Sequence, residues 1–169
     1  MCGIITVMLS KDEFKDIFDI HYEAVRSFVY YRCGDVELAS DITQDVFMRI
    51  WEKRNTLNSY YIKPLLYKIA NDFYISAYRK NQFRMDFEQS MMTDCDSVLT
   101  PEDDLTFDEL KAAYAKALEQ MPDKQRTVFL MNREEGMKYA EIADCLNISV
   151  KAVEKNISAA LRLLRTKLL

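Results

Sequence analysis

Apolar residues recur along this chain at spacings of three and four, and nowhere alternate with polar ones over a long stretch. Phe14, Ile17, His21, Tyr22, Val25, Phe28 and Val29 fall on one side of a helix. Ser10 and Glu13 have capping-box spacing, with Leu9 and Phe14 placed as a hydrophobic staple. A first helix is therefore predicted from about Lys11, stopped by Gly34. A second should run from about Asp35 or Val36 to Lys53, turning Leu38, Ile42, Val46, Phe47 and Ile50 inward. Asp41, Gln44, Asp45, Met48, Arg49, Trp51 and Glu52 then lie largely on its other faces.

Residues 54–63 read as a loop, and Pro64 fits the first turn of a third helix. That helix buries Leu65, Leu66, Ile69 and Phe73, and leaves Tyr67, Lys68, Asn71, Asp72, Tyr74, Tyr78 and Arg79 partly outside. From Met85 to about Leu105 the periodicity fails, as in a linker. A helix through Leu105, Phe107, Leu110, Tyr114 and Leu118 follows, from about Asp104 to Gln120, and Pro122 breaks it. Another spans about Asp123 to Glu134 and ends at Gly136. Tyr139, Ile142, Ala143 and Leu146 mark a short helix, and Asn147 sits where a left-handed residue is needed to leave it. Ser149 is the N-cap candidate of a last helix striped with Val153, Ile157, Ala160, Leu161, Leu164 and Leu168.

The predicted class is all-α: two small helical domains, residues 1–84 and 105–169, joined by a flexible linker over 85–104. With 3 Gly and 3 Pro in 169 residues, a sheet has few turn residues to be built from. The net charge of −4 conceals a division. Residues 1–85 hold 12 basic and 11 acidic side chains, residues 86–109 hold 0 and 9, and residues 110–169 hold 11 and 7. Both ends can approach a polyanion while the connector stays away from it or occupies a basic partner.

The last two helices form a helix-turn-helix. The polar face of the second carries Lys151, Glu154, Lys155, Ser158, Arg162 and Arg165, a set suited to phosphates and base edges in a major groove. Any antiparallel helix pair in an all-helical protein has such a turn, so a plain structural hairpin is the alternative. Between Lys63 and Arg84 five basic residues meet one acid with aromatics interleaved, which suits a sugar-phosphate backbone and stacked bases, or else a core and its rim. Trp51, beside an acidic amphipathic surface, is either an interface anchor or a core residue.

Cys2, Cys33, Cys95 and Cys145 are far apart with no CxxC pair, so neither a metal site nor disulfides are expected, and no cofactor. His21 is expected as a packed imidazole. One histidine, no paired-carboxylate motif and no phosphate-cradling glycine loop speak against an enzyme. No apolar run approaches the length of a membrane span, and Met1–Leu9 lacks the features of a signal peptide, so a cytoplasmic location is expected.

With both halves in view, the chain resembles the small extracytoplasmic-function (ECF) sigma factors of bacterial RNA polymerase, of the sigma-70 family. The likeness rests on ELASDITQDVFMRIWEKR and LLYKIANDFYISAYRK in the first half and on MPDKQRTVFLMNREEGMKYAEIADCLNISVKAVEKNISAALRLLR in the second. It implies a region 2-like domain at residues 1–84 and a region 4-like domain at 105–169. Asp41, Gln44, Asp45, Met48, Arg49 and Trp51 then match the surface that docks on the clamp helices of the polymerase's largest subunit, and the flap is a second polymerase contact. Asn55, Asn58, Tyr60, Tyr61, Lys63, Lys68, Asn71, Tyr74, Tyr78 and Arg79 match the part that recognises and melts the −10 element. Ser149, Lys151, Glu154, Lys155, Asn156, Ser158, Arg162 and Arg165 match the reader of the −35 element. Glu154 and Ala159 stand where relatives often place Arg, which implies a different −35 preference. Promoter DNA, core polymerase and an anti-sigma factor are the implied partners. The alternative is a helix-turn-helix regulator whose N-terminal domain senses a ligand or dimerises.

Overall fold

The computed structural model describes residues 9–57, 61–88 and 107–168. Seven α-helices are found among the described residues: α1 Lys11–Cys33, α2 Val36–Lys53, α3 Ile62–Glu88, α4 Phe107–Glu119, α5 Asp123–Arg133, α6 Tyr139–Leu146 and α7 Val150–Leu168, with a 3₁₀ turn at Arg54–Thr56. None of them is long and apolar enough to cross a membrane.

The local signals account for most helix ends. Glu13 N–H donates to Ser10 Oγ at 3.2 Å while Ser10 N–H donates to Glu13 Oε2 at 2.8 Å, closing the capping box of α1. Gly34, at φ 69°, ends α1 in the left-handed conformation that costs a side-chain-bearing residue most, and its N–H donates to Tyr30 O. Asp35 Oδ1 then accepts from Glu37 N–H and Leu38 N–H and starts α2. One boundary moved. α3 runs on to Glu88, because Gln82–Glu88 contains neither Gly nor Pro to stop it. α4 is described only from Phe107, so Leu105 and most of the expected linker lie outside the described residues.

α1, α2 and α3 pack on one another around Val25, Val29, Ile42, Val46, Ile50 and Leu66, each fully or almost fully buried. α4, α5 and α6 pack on α7 around Leu118, Leu130, Met131, Ile142 and Val153. The two groups also meet: α1 lies against α4 and α5, and α3 against α6, so that the buried apolar residues of both halves form one continuous cluster. This arrangement was not legible in the periodicity, which had left the two halves apart on a tether.

Candidate nucleic-acid interface

The helix-turn-helix forms as the spacing predicts. Asn147 takes φ 52° and ψ 49°, its N–H donating to Ala143 O, and the chain turns out of α6. Ala152 N–H donates to Ser149 Oγ at 3.2 Å, so Ser149 caps α7 and its hydroxyl oxygen is occupied by its own helix. Val153, Ile157, Ala160 and Leu164 are buried, which fixes the rotation of α7 and turns Lys151, Glu154, Lys155, Ser158, Arg162 and Arg165 to solvent. Asn156 is half-buried, and its Nδ2 donates to Ala152 O at 2.7 Å, so its amide faces back along the helix rather than outward. Tyr139, expected on the apolar side of α6, is exposed because Ile142, Ala143 and Cys145 fill that side.

On the first half, Asp41, Gln44, Asp45, Met48 and Arg49 are all exposed and, at helical spacing, occupy one face of α2. Met48 is 61% exposed, well beyond the usual treatment of an apolar side chain. Trp51 stands at the edge of this face, half-buried: its ring meets Phe14 edge-on at 4.9 Å, and the Arg54 guanidinium lies 4.3 Å from its centroid. It is thus a packed rim residue, neither in the core nor free on the surface.

The residues matched to −10 recognition divide. Asn55, Tyr61, Lys68, Tyr78 and Arg79 are exposed and Lys63 is half-exposed, while Asn58 and Tyr60 lie outside the described residues. Asn71 and Tyr74, expected partly outside, are 7% and 6% exposed, and Tyr67 is fully buried. The cause is tertiary. Arg32 leans across α3, its Nη1 donating to Asn71 Oδ1 at 3.0 Å and its guanidinium 3.8 Å from the Tyr74 ring centroid, and Asp123 closes over it from α5.

Periodicity passed over that arginine, and a signal for it existed. Val25, Phe28, Val29 and Arg32 fall at i, i+3, i+4 and i+7, so a charge occupies a core position of α1 and demands a partner. Arg32 Nε donates to Asp123 Oδ1 at 3.2 Å, and Nη2 to Oδ1 and Oδ2 at 3.1 and 3.0 Å. Burial draws the Arg32 pKa down, against the opposing pull of Asp123. Beside it, Arg126 Nη1 donates to Tyr31 O and Arg32 O, carbonyls at the C-terminus of α1 where a cation is favoured. At the other end of the contact Lys63 Nζ donates to Glu135 O at 2.6 Å and lies 3.7 Å from its carboxylate. Burial raises the Tyr67 pKa, and the neighbouring Glu135 raises it further. Cys145 Sγ–H donates to Pro64 O at 3.2 Å, and burial pushes its pKa up to about 11.

Among the described residues no group of three or more His, Cys, Asp or Glu could hold a metal ion. His21 is half-buried, and burial together with Lys63 lowers its pKa. It is packed, as expected, near the Lys63–Glu135 contact.

Residues 17–84 match the family model "Sigma-70 region 2", and residues 111–164 match "Sigma-70, region 4". The chain is 29% identical to the ECF RNA polymerase sigma factor SigW of Bacillus subtilis (strain 168), over 94% of this chain and 90% of that protein. It is 23% identical to the ferric citrate uptake sigma factor FecI of Escherichia coli (strain K12), over 87% and 86%. In fold it is similar to the sigma factor RpoE solved in complex with the anti-sigma factor NepR from Bartonella quintana, with a TM-score of 0.77, 20% identity, and coverage of 94% of this chain and 98% of that one. A second similar structure is CnrH in complex with the cytosolic domain of CnrY, with a TM-score of 0.68, 21% identity, and coverage of 94% and 89%. The chain belongs to the ECF sigma factors of the sigma-70 family, which recognise promoters through regions 2 and 4 and are transcription initiation factors rather than enzymes.

Proposed function

We propose that this chain binds core RNA polymerase through the exposed face of α2, opens the −10 element with α3 and the loop before it, and reads the −35 element with α7. The observation that carries the reading is the polar face of α7, held outward by four buried residues on the opposite side of a capped helix. Lys151, Lys155, Arg162 and Arg165 hold phosphates there, while Glu154 and Ser158 lie among them facing base edges. Glu154 can accept from a cytosine amino group, where an arginine would seek guanine.

On α2, Asp41, Gln44, Asp45, Met48 and Arg49 meet the clamp helices of the largest subunit, with Trp51 stiffening the edge of the face. The polymerase flap takes the second half. On the first half Lys63, Lys68 and Arg79 hold the backbone of the melted strand, and Tyr61 and Tyr78 offer rings to unstacked bases, each worth roughly 1–3 kcal/mol. Drawing a base out of the duplex costs a few kcal/mol, which stacking and a shaped pocket must supply. No bond is made or broken by the chain itself. An anti-sigma protein is the expected negative regulator, since RpoE, which this fold resembles, was solved in complex with the anti-sigma factor NepR.

The test is co-purification of the full chain with core polymerase. The wild type is expected to elute with it, and Asp45→Ala with Met48→Ala to lose most of that association. Wild-type chain that never associates with core polymerase overturns the reading.

A further inference from the structure

Arg32 stands apart from the surfaces assigned above. Its side chain is only 1% exposed, although two of the groups around it, Asn71 and Tyr74, belong to the stretch matched to −10 recognition. Arg32, Asn71 and Tyr74 all come from α1 and α3. Of the groups bonded to its guanidinium, Asp123 alone comes from the second half, and its carboxylate remains 47% exposed. Without Asp123 the remaining group is a planar guanidinium stacked on a tyrosine ring and braced by an amide, its Nε–H and Nη2–H left without a partner. That fork donates to a carboxylate or a phosphate in the same two-pronged geometry. The pattern repeats at Lys63, another residue of the −10 stretch, which Glu135 of the second half occupies. Two acids of one half thus sit on two cations of the other.

We propose that Arg32 is a phosphate-holding residue of the promoter face, and that Asp123, with Glu135 on Lys63, occupies that face in place of DNA until the halves are drawn apart. The second half is then a cover over the melting surface as well as a reader of duplex. This rests on the sigma-factor reading of α3. An ion pair with one buried partner is a weak source of net stability, since its attraction is largely offset by the cost of drying the buried charge. Such a clasp specifies how the halves meet and still opens when a competing anion or the polymerase offers more.

Cys145 reports the opening, because its thiol is buried against Pro64 across the same contact. Alkylation of Cys145, followed by mass spectrometry, and binding of a single-stranded oligothymidylate are measured on the full chain without polymerase. Asp123→Asn with Glu135→Gln keeps the shapes and removes the two charges. This variant is expected to alkylate faster at Cys145 and to bind the oligonucleotide at least about tenfold more tightly, the change that follows loss of one charge-assisted pair. Arg32→Gln added to it should cancel most of the gain. The proposal is overturned if alkylation and affinity stay at wild-type values, if alkylation quickens with no gain in affinity, or if the gain survives Arg32→Gln.

Wild-type chain gives a test that no substitution can confound: saturating oligonucleotide should speed Cys145 alkylation, and an unchanged rate also overturns the proposal. Co-sedimentation of the wild type with core polymerase is run in parallel. Failure there sinks the sigma-factor reading, whereas a clasp failure beside normal polymerase binding sinks only this inference.

Discussion

Lys155 and Arg162 are exposed, seven residues apart on α7, and on the side opposite Val153, Ile157, Ala160 and Leu164. Two helical turns separate them by about 10.5 Å along the axis, so each can hold its own phosphate. Each phosphate neutralised on duplex DNA contributes about 0.9 to the slope of log affinity against log salt. Removing both cations in Lys155→Ala with Arg162→Ala should therefore reduce the slope by about 1.8. Between about 50 and 200 mM salt, wild-type affinity should fall about 12-fold further than that of the variant. Fluorescence anisotropy of a labelled duplex, titrated with the full chain across that range, reads both slopes. The duplex need not carry a cognate sequence, because backbone contacts are sequence-independent. Alanine at Lys11 and Lys15, exposed on α1, serves as the control and should leave the slope unchanged. If the double variant on α7 retains the wild-type slope, that face does not hold DNA and the reasoning from its burial pattern fails.

Other consequences follow from packing and charge. Leu130→Ala removes a fully buried side chain where α5 packs against its neighbours, and should cost about 2–5 kcal/mol in denaturant unfolding; a loss below about 1 kcal/mol would mean that the second half's core lies elsewhere. Trp51→Ala should lower thermal stability as well as polymerase affinity, because Phe14 and Arg54 lose their partner, whereas Asp45→Ala and Met48→Ala, fully on the surface, should lower affinity alone. Burial and Lys63 lower the His21 pKa below its ordinary 6.5, so the folded chain binds a proton there less readily than the unfolded one. Stability should therefore fall as pH drops through that value, and His21→Gln should flatten the decline between about pH 7.5 and 5.5 in urea titrations; an equal decline in the variant would assign it to other groups.

Local chemistry made much of this fold readable. Ser10 with Glu13, Gly34, Asp35, Asn147 and Ser149 each close or open a helix through bonds within a few residues, and such bonds leave a signature in the sequence. The outward face of α7 was readable for a related reason: one regular apolar stripe fixes its rotation. Tyr67, Asn71 and Tyr74 were not, since Arg32, 39 or more positions away, covers the last two while Glu135 of the second half lies by Tyr67, and no local spacing records that. Arg32 itself was legible in principle, as a charge at a core position of α1. Its partner was not, because Asp123 follows Pro122 at the start of α5 and there resembles any helix-starting acid. The end of α3 was placed too early for another reason: the amphipathic pattern fades after Met85, yet a stretch without Gly or Pro continues the helix to Glu88.

The central claim is that this chain confers promoter selection on a polymerase that lacks it. Transcription in vitro with core polymerase, with and without the full chain, followed by mapping of the 5′ ends, tests it most directly. The account predicts a defined set of start sites that depend on the chain and share upstream sequence at two positions. Start sites identical with and without the chain, under conditions where a known sigma factor redirects the same enzyme, would contradict it.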